Sequence, residues 1–352
     1  MKSIKHLFWL IVPMLIFSCG APKTAASGEK QTLQVVSVGF YNLENLFDTI
    51  DGPNIDEEFL PTGAMNWTGY KYKAKLKNMS YAISQIGLDI TPGGLSILGV
   101  AEIENRGVLE DLVKEPAIAH RQYSIVHYDS PDRRGVDVGL LYNPRDFQVT
   151  NSKSYRLYTP EDPEFLTRDQ LMVSGYLKNE KIHVIVGHWP SRSGGEERSE
   201  PKRRAAAALT KTIVDSLYRV EPRAKIIVMG DLNDDPANKS TAQVLGAKRN
   251  MEDVPKQGLY NPMWRILDSG VGTLAYNNQW NLFDQIIVSE PFLHSDNTHL
   301  RFWKAEVFNK SFLIQQEGLY KGSPLRTHAG GVWMNGYSDH FPTLIYLTKA
   351  AN

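Results

Sequence analysis

Cysteine is nearly absent from this chain. One residue in 352, Cys19, carries a thiol, so no disulfide can form within the chain and no cysteine-based zinc site can be built. A surplus of charge is absent too. Lys plus Arg number 39 and Asp plus Glu number 39, which leaves a formal net charge of zero. A bulk polycation is therefore excluded as a basis for binding nucleic acid, and only a local basic patch could serve. No internal repeat is visible, and no segment after residue 19 is apolar enough to span a bilayer. Any metal must then be held by Asp, Glu, Asn and His, a donor set that points to hard cations. What is present is the composition of a globular chain: 42% hydrophobic and 22% charged residues, enough to bury a large core.

The N-terminus reads as an export signal. Lys2 and Lys5 precede an eleven-residue apolar run, Leu7–Phe17, which is too short to cross a membrane comfortably. The run ends at Ile16-Phe17-Ser18-Cys19, which resembles a bacterial lipobox. The alternative is an ordinary signal peptide that happens to contain a cysteine. The only cysteine of the chain falls at this one place, which favours cleavage before Cys19 and lipid attachment there. Residues 1–19 are thus expected to be a lipoprotein signal, residues 20–32 a small polar tether, and residues 33–350 one catalytic-size domain. The expected location is the cell envelope, on the periplasmic or surface side, with the membrane met only through the lipid.

Beyond residue 33, apolar β-branched runs recur: 33–38, 95–100, 136–142, 182–187, 225–229, 282–288 and 343–347. Between them, Leu76, Met79, Ile83 and Ile86 give residues 71–87 one apolar helical face. Ala205, Leu209, Ile213 and Leu217 do the same for 202–219, with Pro201 as a first-turn residue. Strands outnumber helices, which predicts mixed sheets with helices packed outside.

Polar residues cluster at the ends of these strands. Asn42 follows the first, Glu102 the second, and His188 the 182–187 run. Asp231 and Asn233 follow 225–229, Asp284 sits within 282–288, and Asp339-His340 precede the last. Groups that end apolar strands are candidates to converge at one sheet edge. Glu102, Asp339 and Asn42 offer hard oxygens for Mg²⁺ or Mn²⁺, with Ca²⁺ a further option. His188 and His340 can donate to phosphate oxygens or move protons, and Asp231 can take a proton from water with Asn233 holding it. Such a set suits an anion that gains charge in its transition state, and a phosphate ester fits.

Gly230-Asp231-Leu232-Asn233-Asp234-Asp235-Pro236 and Ser338-Asp339-His340-Phe341-Pro342 resemble two signature motifs of the endonuclease/exonuclease/phosphatase superfamily, which has the DNase I-like fold. Phe40-Tyr41-Asn42, Ala101-Glu102, Gly187-His188-Trp189-Pro190-Ser191 and Phe283-Asp284-Gln285-Ile286 resemble four more, in family order. The resemblance implies a four-layered α/β sandwich with two mixed β-sheets packed face to face and helices outside. It also implies divalent-metal-dependent phosphoester cleavage. Glu102 would ligate the metal with Asn42 and Asp339 close by. Asp231 and Asn233 would orient or activate water, His188 and His340 would stabilise charge or act as acid and base, and Asp284 would polarise His340. Asp137 is the candidate carboxylate for the other histidine.

Three arginines are candidate substrate contacts: Arg192 in the loop after His188, Arg134 ahead of the 136–142 strand, and Arg326 before the last motif. For Arg192 a solvated loop is an equal alternative. Glu104 reads as a solvated neighbour of Glu102. The expected activity is a metal-dependent nuclease with nucleic acid as substrate. A lipid or sugar phosphodiesterase of sphingomyelinase-like type is the alternative, and a non-catalytic binding protein is a third. No obligate protein partner is implied.

Overall fold

The computed structural model describes residues 32–159, 162–276 and 279–351. The signal segment, Cys19 and the tether up to residue 31 lie outside the described residues.

In chain order the elements begin with β1 (Leu33–Leu46), α1 (Gly69–Gln85), β2 (Ile97–Ile103), α2 (Arg106–Lys114), β3 (Ser124–His127) and β4 (Asp137–Tyr142). There follow β5 (Phe147–Tyr155), β6 (Gln170–Leu177), β7 (Glu180–His188), α3 (Glu196–Val220) and β8 (Ile226–Asp231). The C-terminal part carries β9 (Ala247–Lys248), β10 (Leu259–Tyr260), α4 (Met263–Asp268), β11 (Leu274–Tyr276), β12 (Gln279–Asn281) and β13 (Asp284–Ser289). It closes with β14 (Arg301–Val307), β15 (His328–Ala329), β16 (Val332–Trp333) and β17 (Thr343–Ala350).

Two mixed sheets form, in the orders β14-β17-β1-β2-β4-β3 and β5-β6-β7-β8-β13-β10-β9. Alternation along each strand decides what lies between them. Val36, Val38 and Phe40 of β1 meet Val184 and Val186 of β7, Ile227 and Met229 of β8, and Ile286 and Val288 of β13 in one apolar layer. The opposite face of the first sheet receives α1 and α2 through Leu76, Met79, Ile83, Val108, Leu109 and Leu112. The outer face of the second receives α3 through Ala206, Ala207, Ile213 and Val214. The result is the four-layered α/β sandwich of the DNase I-like type.

Two local expectations are corrected. The helix expected from residue 202 starts at Glu196, so Pro201 lies inside α3 rather than in its first turn. Gly194 and Gly195, both at positive φ, end the preceding loop earlier than the apolar periodicity suggested. Glu104 is buried rather than solvated. It accepts Asp48 N–H at 2.8 Å, and burial pushes its carboxyl up to about 7.

Candidate active site

Strand direction gathers the polar groups at one end of the sandwich. β1 and β2 run parallel, as do β7 and β8, so the C-terminal ends of each pair share an edge. β13 is antiparallel to β8 and β17 to β1, so their N-terminal ends reach the edge of their own sheet where β8 and β1 finish. The registers align His188 with Asp231 and Asp231 with Asp284. By alternation, Asn42, His188, Asp231 and Asp284 share the inner face with the apolar layer just described.

Glu102 needs a special device, because alternation alone would turn it outward. A bulge between Ala101 and Ile103 inserts it as an extra residue, and its φ of 57° lies in the left-handed region. Such bulges re-aim a side chain. The carboxylate then accepts Asn45 N–H at 3.1 Å through Oε2, and Oε1 lies 3.8 Å from His188 Nε2. The glycine before Asp231 has an equally local reason. A Cβ on Gly230 would stand 2.1 Å from the Gly187 carbonyl oxygen, so only glycine lets β7 and β8 approach here.

Asp231 lies at the centre. Its Oδ2 accepts from Asn42 Nδ2 at 3.0 Å, and its Oδ1 accepts from Asn233 N–H at 3.0 Å. His188 Nε2 lies 3.6 Å and His340 Nε2 3.9 Å from Oδ2. Burial, with Asp284 and Glu102 nearby, raises the carboxyl to about 7 against the opposing pull of His340. The two histidines are tuned in opposite directions. His340 donates a short hydrogen bond from Nδ1 to Asp284 Oδ2, 2.7 Å, and the carboxylates of Asp284, Asp231 and Asp339 raise its pKa well above the ordinary value despite burial. His188 Nδ1 has no hydrogen-bond partner among the described residues. Burial, aided by the charges of Arg168 and Arg134, lowers its pKa well below the ordinary value.

Ser338 ties the last loop to the first strand, donating to Asn42 O at 2.7 Å and accepting His340 N–H at 3.1 Å. Asp339 accepts from Arg326 Nη2 at 2.5 Å, and its other oxygen lies 3.9 Å from His340 Nε2. Asn233 Nδ2 donates to Trp189 O at 2.9 Å.

The donor set fits a hard divalent cation. Ligand atoms of Glu102, His188 and Asp231 lie within 4.8 Å of one another, and so do those of Asp231, Asp284 and His340. Glu102 Oε1 accepts no hydrogen bond among the described residues. The carboxylates of Glu102 and Asp231 are oxygens of the kind that Mg²⁺ or Ca²⁺ prefers, while Asn42 Oδ1 already accepts Glu44 N–H at 2.9 Å and Asp339 lies beside His340.

The candidate arginines have separate places. Arg192 is already engaged: it meets Asp234 at 3.2 Å, Glu196 at 2.8 Å and Asn233 O at 3.0 Å, and lies over the ring of Phe283. Arg134 is half-exposed, 3.4 Å from Asp132. Arg326 stands between Asp339 and Glu44. The expected pairing of Asp137 with His188 is corrected. Asp137 meets His127 Nε2 at 2.9 Å and Ser130 instead. It alternates with Val138, whose side chain enters the layer between the sheets, so Asp137 faces away from it.

Two residues at the site escaped the sequence reading. Arg168, buried beside His188, donates to Trp189 O at 2.7 Å and pairs with Asp132 at 3.2 Å. Lys75, fully buried on α1, donates to Thr327 Oγ1 and to Tyr337 O, both at 2.5 Å, and so props the loop that carries Asp339. Neither sits in a recognisable motif, and a lysine on an amphipathic helix reads as solvated.

Comparison with known proteins gives one consistent result. A protein in Bacteroides thetaiotaomicron described as an endonuclease/exonuclease/phosphatase family protein superposes with TM-score 0.53 at 16% identity, covering 91% of this chain and 96% of its own. D. rerio TDP2 humanized by 14 mutations superposes with TM-score 0.54 at 12% identity, covering 89% of this chain and 98% of its own. The B. thetaiotaomicron mannosyl-6-phosphatase superposes with TM-score 0.53 at 15% identity, covering 89% and 99%. At such identities the likeness is one of fold. No curated protein sequence matches. The profile of the Endonuclease/Exonuclease/phosphatase family matches residues 37–349, so the chain belongs to that family of hydrolytic phosphoesterases.

Proposed function

We propose that this phosphoesterase is a divalent-cation-dependent nuclease that cleaves phosphodiesters of DNA or RNA. The single observation that supports it most is the central Asp231, held by Asn42 and the Asn233 N–H, between a histidine whose Nδ1 is hydrogen-bonded to a carboxylate and one whose Nδ1 is not. In this reading Asp231 accepts a proton from the attacking water, which Asn233 helps to orient. Phosphorus gains that oxygen and loses the leaving alkoxide. His340, held protonated by Asp284, donates to the phosphate oxygens as their charge rises, and His188 adds a neutral imidazole donor. Glu102, Asn42 and Asp339 would hold Mg²⁺ or Mn²⁺, which would supply Lewis-acid charge to the phosphate when bound. Export and lipid attachment through Cys19 place the enzyme at the cell envelope.

The test is a panel of plasmid DNA, single-stranded DNA, RNA, phospholipid and sugar phosphate, with Mg²⁺ or Mn²⁺ and with EDTA. Nucleic-acid cleavage abolished by EDTA is the expected result. Intact nucleic acids beside released phosphate from a sugar monoester would overturn it. That second reading has one observation in its favour: a small cavity of about 250 Å³ beside Asp339 and Arg326, with Trp67 in its wall, has room for a compact polar group. Lipidation has its own test, since incorporation of labelled palmitate should vanish in Cys19→Ala.

A further inference from the structure

A second cavity opens beside the loop that follows His188. It has a volume of about 550 Å³, and Arg133, Arg134, Arg168, Arg198 and Lys202 line it. The carboxylates that meet these cations are few. Asp132 takes Arg168 at 3.2 Å and Arg134 at 3.4 Å, and Asp162, outside the lining, takes Lys202 at 3.2 Å. Among the described residues, five cations against two carboxylates leave a surplus of three positive charges in a chain whose net charge is zero. Arg198 meets no carboxylate among the described residues, and Arg133 reaches only the Glu164 carbonyl, at 3.5 Å. Unpaired cations gathered in one concavity make a local field that attracts anions.

Two buried donors add to the field. Thr167 is 2% exposed and its Oγ1 has no hydrogen-bond partner among the described residues; Arg168 is 6% exposed and its Nε has none there either. Both belong to the lining of this cavity. Buried polar atoms without partners are uncommon and call for an explanation, and an anion seated in the cavity would supply one.

The cavity is joined to the active site through one carbonyl. Trp189 O accepts from Arg168 Nη2 on one side and from Asn233 Nδ2 on the other. Trp189 directly follows His188, and Pro190 and Ser191 belong to the cavity wall. An anion bound here therefore lies beside the scissile phosphate rather than in its place.

We propose that this cavity is a second phosphate subsite, which holds the phosphodiester next to the one being cleaved and so positions the strand. The inference rests on the nuclease reading and deepens it, because a polymer of phosphates fills both places at once and a single phosphoester fills one. Guanidinium groups suit this task, since their forked donors match phosphate oxygens. Such contacts fix register without reading sequence.

The experiment uses the Arg198→Ala/Lys202→Ala double variant, both residues standing at the surface of α3. Its activity is compared with that of the wild type on oligothymidylate, which has neighbouring phosphates, and on bis(p-nitrophenyl) phosphate, which has one. The ratio of kcat/KM for the two substrates should fall about tenfold, through KM for the oligonucleotide. The slope of log binding constant against log salt should shrink by about 0.7, one neutralised phosphate on a single strand. An unchanged ratio, or equal loss on both substrates, overturns the subsite. Failure of the nuclease reading looks different, because the wild type itself would then leave oligothymidylate intact.

Discussion

Asp284→Asn isolates the charge that holds His340. The carboxylate is fully buried, its Oδ2 lies 2.7 Å from His340 Nδ1, and its Oδ1 has no partner. Asparagine keeps the shape and one acceptor oxygen, yet removes the negative charge that keeps the imidazole protonated. A buried hydrogen bond between charged groups contributes on the order of 2–4 kcal/mol once the exposed alternative is lost. If that energy acts in the transition state, kcat falls about thirty- to a thousandfold at roughly 1.4 kcal/mol per decade. Steady-state kinetics with saturating Mg²⁺ or Mn²⁺ measure the loss, and a melting curve separates it from unfolding. Asp137→Asn is the matched control. It alters an equally buried carboxylate paired with a histidine, His127, at 2.9 Å, but on the wrong face of its sheet for the site. It should lower the melting temperature and leave kcat within about twofold. If Asp284→Asn keeps more than a third of wild-type kcat, or both variants lose activity alike, the His340–Asp284 pair has no special part in turnover.

Further outcomes follow from the packing. Gly230→Ala drives a methyl onto the Gly187 carbonyl, 2.1 Å away, and should lower the melting temperature by about 5 °C or more; an unchanged melting curve would deny the close approach. Lys75→Met removes the prop under residues 326–337 and leaves Glu44 without its buried cation, so trypsin should cut after Arg326 faster than in the wild type, as mass spectrometry would show. His183 is buried, bonded to Ser174 Oγ at 2.7 Å, and burial lowers its pKa. The unfolded chain protonates it at the ordinary value of 6.5 and the folded chain only at lower pH, so its contribution is intact above that value and fades below it. The melting temperature of the wild type should accordingly drop more between about pH 7.5 and 5.5 than that of His183→Gln.

Part of the site is legible in the sequence because period-2 alternation is a strong constraint. Once Val38 and Phe40 are taken as inward, Asn42 is inward as well. The same holds for His188 after Val184 and Val186, for Asp231 after Ile227 and Met229, and for Asp284 before Ile286 and Val288. The rule fails wherever the backbone departs from it. Glu102 faces the site only through a bulge, a feature that no periodicity announces. Asp137 obeys the alternation, and counting from Val138 would have excluded it from the site. The start of α3 was missed because the apolar stripe begins later than the helix. Arg168 and Lys75 owe their burial to loops that arrive from distant parts of the chain, which a local reading does not contain.

The polar cluster draws on both halves of the sandwich: Asn42 and Glu102 come from one sheet, His188, Asp231 and Asp284 from the other. Turnover is consequently a caliper for the seam between them. Any lesion that lets the halves slide by a single residue would silence the enzyme while each half kept its own ladder of bonds. Spectroscopy of secondary structure would register nothing, and only the loss of catalysis would report the slip.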